Sequence, residues 1–206
     1  MPHDTALLDR RYASAAPKWS DRMRLLGYYD GYLGLLSHLP HAARKGGHVI
    51  DIGAGTGAMA EAWVAVNGAP ERLALLDPSA AMLASAETAL TARGVDADYL
   101  IEGLNAETAG QFDVLLAAHV IEHFKSPQEA LRHMRRLARP GAQLWLSVSK
   151  PHWCSVLIWL QWQHRTFRPA EIDQMLQSAG FVAEQHYAFP AGPPSRTSFG
   201  VVARAV

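Results

Sequence analysis

The 206-residue chain holds a single cysteine, Cys154. That excludes an intrachain disulfide and a cysteine-rich metal site, and it sets the expectation of a reducing compartment, the cytoplasm. Charge surplus is missing too, with 19 basic side chains against 19 acidic ones. A protein that grips a nucleic-acid backbone needs many cationic contacts, so nucleic acid is not an expected partner. No stretch approaches the roughly 18 apolar residues of a spanning helix, and Met1-Pro2-His3-Asp4 has no basic region ahead of an apolar core. Neither membrane insertion nor export is expected. The chain does have apolar bulk, 49% of its residues, enough for one globular domain with its own core.

The most informative stretch is His48-Val49-Ile50-Asp51-Ile52-Gly53-Ala54-Gly55-Thr56-Gly57. Val49 to Ile52 predicts a buried strand, and a helical pattern runs from Ala58 to Val66. Glycines at alternate positions between them let the backbone take positive φ and let a ligand approach it. The new helix turns its unpaired N–H groups into the same crevice, which suits a nucleotide-like ligand.

Before this motif, Trp19 to Leu39 has apolar residues at amphipathic-helix spacing, with Ser20 as its cap and Gly27, Gly31 and Gly34 as points that weaken or split it. After it, strands are predicted over 72–77, 98–101, 112–118 and 143–148. Their nearly continuous apolar character suits parallel strands covered on both faces. Helices are predicted from the Ser79 cap to Ala92, from the Ser126-Pro127-Gln128-Glu129 box to about Ala138, and from Pro169 to Gly180. Arg139-Pro140-Gly141 reads as a turn. Two last strands, 182–189 and 199–205, are expected to form an antiparallel pair across the Pro-Ala-Gly-Pro-Pro loop.

Together these pieces resemble the class I S-adenosylmethionine-dependent methyltransferases. The matching segments are Val49 to Gly57, Leu75-Leu-Asp-Pro-Ser79, Gln111-Phe-Asp-Val-Leu-Leu116 with Val120-Ile-Glu-His123, Leu137-Ala-Arg-Pro-Gly141, His164 to Glu171 and Ser178-Ala-Gly-Phe181. The resemblance implies an α/β fold, a three-layer α-β-α Rossmann-like sandwich around a seven-stranded, mostly parallel sheet whose last strand is antiparallel. It implies one methyltransferase domain over residues 1–206, with a helical N-terminal cap over 1–45 and a substrate-covering insertion over 150–168. The rival for the glycine turn is an NAD(P)-type dinucleotide oxidoreductase, since Gly53-x-Gly55 with Asp77 downstream also fits that fingerprint. Asp51 before the glycines is the methyltransferase trait. A third alternative is a binding protein that keeps the fold without transferring methyl.

The cofactor that the resemblance implies is S-adenosyl-L-methionine. The residues it assigns are Asp51 for the methionine amino group and Gly53, Ala54, Gly55 and Gly57 for close backbone approach. Asp77 would accept from the ribose hydroxyls, Pro78, Met82, Asn105 and Ala106 would edge the adenine, and His119 would turn its carbonyl to the cofactor. Methyl transfer is an in-line displacement on an activated carbon, so alignment supplies much of the effect and a base is needed only for acceptors that lose a proton. His119 and His123 are the candidate bases, with Glu122 between them. The expected partner is a small-molecule substrate, apolar or aromatic. Tyr28, Trp153, Trp159, His164 and Arg196 are its candidate contacts, and the tryptophan-rich 150–168 stretch also suits a homodimer surface.

Overall fold

The computed structural model describes residues 20–38, 47–152 and 165–206. In it the apolar runs pair as one sheet: β1 (His48–Ile52), β2 (Arg72–Leu76), β3 (Asp98–Leu100), β4 (Phe112–Ala118), β5 (Ala138–Ser149), β6 (Phe181–Tyr187) and β7 (Ser198–Ala205). The strand order is β3-β2-β1-β4-β5-β7-β6, and β7 runs antiparallel to both of its neighbours. All other pairs are parallel. The expected mostly parallel, seven-stranded α/β sheet is therefore present.

The helices are α1 (Tyr28–His38), α2 (Ala58–Asn67), α3 (Ala80–Thr91), α4 (Pro127–Leu137), α5 (Pro169–Ala179) and a short α6 (Gly192–Thr197). Strand alternation sorts them into two outer layers. Val49, Leu73, Leu75, Val114, Leu116 and Trp145 face one side and pack with Tyr29, Leu35, Met59, Trp63 and Leu83 of α1 to α3. Ile50, Ile52, Leu115, Leu144 and Leu146 face the other and pack with Leu131, Met134, Ile172 and Leu176 of α4 and α5. The connections after β1 and β2 thus cover one face and those after β4 and β5 the other. The order reverses between β1 and β4, which opens a crevice at their carboxyl ends.

Two of the predicted caps form: Ser79 Oγ accepts from Met82 N at 3.4 Å, and Ser126 Oγ from Glu129 N at 3.3 Å. The helix expected over 19–39 is split at Gly27, one of the three glycines expected to weaken or split it, whose φ of 82° ends a first helical stretch over 20–25 before α1 begins. Two expectations need correction. Arg139-Pro140-Gly141 is not a free turn but part of β5, where pairing jumps from Phe112–Ala138 to Val114–Gln143 and the residues between bulge out of the ladder. The Pro-rich loop before β7 winds into α6.

A buried Glu61 on α2 fastens the N-terminal layer. It pairs with Arg24 and, at 2.7 Å, with Arg93, which also donates to Tyr29 Oη at 3.0 Å. Among the described residues no helix is long and apolar enough to cross a membrane.

Gly31 shows a different use of glycine from Gly27. A Cβ there would lie 2.9 Å from the ring of Phe189, so the missing side chain is what lets α1 seat on the sheet. Gly→Ala within a helix ordinarily stabilises by about 0.5–1 kcal/mol. Gly31→Ala is predicted to do the opposite, losing about 1–3 kcal/mol through overpacking. Thermal melting of the two chains checks the sign.

Candidate functional site

The glycine turn is closed by backbone bonds to the neighbouring strand: Gly53 N and Ala54 N both donate to Leu76 O, at 2.8 and 3.1 Å. Gly53, Gly55 and Gly57 take φ of 64°, 53° and 79°. A Cβ on Gly53 would lie 2.4 Å from Val120 Cγ2, whereas one on Gly55 meets no atom of the described residues within 4 Å. The turn is therefore packed on one side and open over Gly55, where a ligand can approach the backbone.

Two acids flank that opening. Asp77 follows β2, and its carboxylate accepts Gly55 N at 2.8 Å and Ser79 N at 2.9 Å, tying the turn to the start of α3. Asp51, in β1, is buried and accepts Ala60 N at 3.0 Å. Burial raises the Asp51 carboxyl to about 7, the Ala60 N–H opposes that rise, and the nearby Asp77 adds to it. Such a carboxyl gains by meeting a cation.

A second polar group lies on the same sheet face, at the end of β4. His119 has φ of 56°, and among the described residues it alone is a non-glycine with positive φ. Its Nδ1 lies 3.2 Å from Ser149 Oγ and 3.4 Å from Glu122 Oε1, and its Nε2 lies 3.3 Å from Ser147 Oγ. Tyr28 of α1 sets its ring edge-on to the imidazole, centroids 5.4 Å apart, and places its hydroxyl 3.1 Å from Thr197 Oγ1. Burial would raise the Glu122 carboxyl, but the His119 ring and the Ser149 N–H outweigh it and hold the group below the usual glutamate range. Burial, reinforced by the charges of Tyr28, Asp51 and Glu122, pushes the Tyr32 phenol well above its ordinary value.

The structure brings Asp51, the three glycines, Ala54 and Asp77 together, and gathers Tyr28 with His119. Pro78 is exposed beside Asp77, and Met82 is buried at the start of α3. Asn105 and Ala106 are exposed after β3. The Asn105 carboxamide serves its own loop, donating to Gly103 O at 2.9 Å and accepting from Glu107 N at 2.7 Å. His123 is exposed at the end of the turn Ile121–His123, and Arg196 is exposed in the last turn of α6. Trp153, Trp159 and His164 lie outside the described residues. Ser147, Ser149 and Thr197 were not singled out from the sequence. The available signal was two serines alternating at the end of an apolar strand.

A glycine turn between two acids, at the reversal point of a sheet ending in an antiparallel strand, is the arrangement of a Rossmann-like methyltransferase fold. A family model described as a methyltransferase domain matches residues 25–186, and the chain belongs to that family. The choice between a methyltransferase turn and a dinucleotide turn is thereby made. Curated relatives include the ubiquinone biosynthesis O-methyltransferases of Azotobacter vinelandii and of Pseudomonas aeruginosa strain UCBPP-PA14. They are 34% identical over 111 residues and 37% over 110, each covering 52% of this chain and 47% and 46% of the relative. The chain thus matches about half the length of these relatives. Among solved structures, the Burkholderia thailandensis 1,6-didemethyltoxoflavin-N1-methyltransferase, with 1,6-didemethyltoxoflavin and S-adenosylhomocysteine bound, superposes with a TM-score of 0.72 at 18% identity. The match covers all of this chain and 91% of that one, and it shows the shared fold.

The Asp51 shift makes a signed prediction. With a folded value near 7 against 3.8, the folded state keeps a proton that the unfolded chain has released, so this group's stabilising contribution is lost as pH rises from about 4 to about 7. Asp51→Asn keeps an acceptor for Ala60 N and removes that loss. Its Tm is expected to exceed the parent's at pH 8, and the difference is expected to shrink towards pH 4 in a series of melts.

Proposed function

We propose that the chain transfers a methyl group from S-adenosylmethionine to a hydroxyl of a small, apolar or aromatic metabolite. The observation that carries this is the pair of buried carboxylates, Asp51 and Asp77, on either side of a glycine turn that is open over Gly55. The ligand implied has a cationic amino group, a cationic sulfur and a hydroxyl-bearing ribose, and these residues fit it. Ionised Asp51 would hold the amino group. Gly53, Ala54, Gly55 and Gly57 would line the close approach, and Asp77, whose carboxylate accepts Gly55 N and Ser79 N, would accept from the ribose hydroxyls. Pro78, Met82, Asn105 and Ala106 would border the adenine, with the His119 carbonyl across from them.

When bound, S-adenosylmethionine supplies an electrophilic methyl whose sulfur leaves as a neutral thioether. The chain's own part is alignment, exclusion of water beneath α1 and proton removal, with His119 as the proposed base and His123 as the alternative. The small-molecule acceptor and the hydroxyl are supported by the names of the relatives, which are O-methyltransferases, and by the aromatic wall of Tyr28 and Tyr32. Residues 1–206 are proposed as one domain in which 1–45 and 150–168 cover the crevice. Arg196 on the short α6 is proposed to meet a polar group of the substrate. The proposed setting is the cytoplasm, supported by the single cysteine.

Calorimetry tests the cofactor. S-adenosylmethionine and S-adenosylhomocysteine are expected to bind, and Asp77→Ala is expected to weaken both by about 10- to 100-fold, the scale of lost hydrogen bonds to a charged group. Asp51→Asn, although more stable at pH 8, is expected to bind the cofactor less tightly. Undiminished binding by Asp77→Ala refutes the ribose assignment. Methyl label appearing on macromolecules alone, when an extract is incubated with labelled cofactor, refutes the small-molecule acceptor.

A further inference from the structure

Glu122 is set behind His119 with its side chain 1% exposed. Its Oε1 accepts the Ser149 N–H at 2.7 Å and lies 3.4 Å from His119 Nδ1, while Ser149 Oγ lies 3.2 Å from the same nitrogen. These three residues close a ring of polar contacts between the turn after β4 and the end of β5. A glutamine would accept the Ser149 N–H equally well without the cost of burying a charge. Packing alone therefore does not account for a carboxylate here, and Glu122 Oε2 has no hydrogen-bond partner among the described residues. The histidine it faces is itself held in an unusual conformation. Its φ of 56° is kept by a backbone bond from His119 N to Ser147 O at 2.8 Å. Strain of that kind persists where the surroundings over-determine it, and it gathers at sites of function.

We propose that Glu122 is a positioning residue, whose carboxylate fixes the His119 ring so that Nδ1 carries the proton and Nε2 presents the lone pair that deprotonates the acceptor. The proposal rests on the methyl-transfer reading above and narrows it. In the step, the acceptor O–H bond breaks and its proton passes to Nε2. An oxygen electron pair forms the bond to the methyl carbon, and the pair of the broken methyl–sulfur bond stays on sulfur. The ring becomes an imidazolium beside the Glu122 carboxylate, which stabilises that charge. In the resting arrangement Nε2 meets the Ser147 hydroxyl at 3.3 Å, a long contact that an acceptor hydroxyl would replace. Among the described residues, the Tyr28 ring and Tyr32 from α1 and Ser147 and Ser149 from β5 stand about the pair, and Arg165 N donates to Glu122 O at 3.5 Å. The acceptor class that needs such a device is one that loses a proton on methylation, a phenol-type hydroxyl rather than a thioether or tertiary amine.

The test uses the full chain labelled with 15N-histidine, without cofactor, and reads the ring nitrogens of His119 from pH 5 to 9, with His119→Asn to assign the signal. The parent is expected to show the Nδ1–H form. Glu122→Gln is expected to lose that preference, and Glu122→Asp to restore it. An unchanged tautomer in Glu122→Gln overturns the proposal. Turnover is then measured with methyl-labelled S-adenosylmethionine and 3,4-dihydroxybenzoate as the probe. Glu122→Gln is expected to lower kcat about 10- to 100-fold with KM for the cofactor unchanged, and Glu122→Asp to recover much of it. A kcat loss matched by equal losses in cofactor affinity and Tm, without recovery in Glu122→Asp, assigns Glu122 to structure and also overturns the proposal. Absence of any cofactor binding by the parent defeats the methyl-transfer reading instead, while the tautomer measurement still decides what Glu122 does to His119.

Discussion

The parallel pairing of β1 on both of its edges is the constraint from which the rest follows. Because β2 and β4 both run alongside β1, the chain must cross over after each strand, and the crossovers from β1 and β2 cover the opposite face from those after β4 and β5. The crossover helices then part above the carboxyl ends of β1 and β4 and leave a crevice there. The open turn at Gly53 to Gly57, the acids Asp51 and Asp77, and His119 all stand at that gap.

Polarity in this crevice is kept costly rather than relieved by solvent. Asp51 and Glu122 are both buried, yet their carboxyls move in opposite directions, Asp51 upward to about 7 and Glu122 below the usual range. The difference lies in the partners. One backbone N–H and another acid face Asp51, whereas a histidine ring and a backbone N–H face Glu122. The first site is left in want of a cation and the second already has its counterpart. Such separation of two carboxyls by environment is how one crevice can both hold a charged cofactor and manage a proton.

α1 joins the two halves of the site. Its glycines let it lie close to Phe189 and Tyr187, which lowers Tyr28 and Tyr32 onto the polar ends of β1, β4 and β5. The Arg24, Arg93 and Glu61 group holds its leading edge. A helix whose glycines read as weaknesses in isolation is thus shaped for contact, and only Gly27 serves as a break.

The sequence by itself determined the alternation of strands and helices, the glycine turn, both acids and most caps, because period-2 and period-3.6 patterns and capping chemistry are local. It misread Arg139 to Gly141 as a turn, since a bulge depends on what the neighbouring strand pairs with, and it read the proline-rich loop without its helix. The tertiary structure alone decided that Ser147, Ser149 and Glu122 surround His119, that Gly31 and Gly34 are contact positions, and that Asp51 is held near neutrality. Those facts depend on residues distant in the chain meeting in a low-dielectric crevice, and no local pattern encodes which side chains share it.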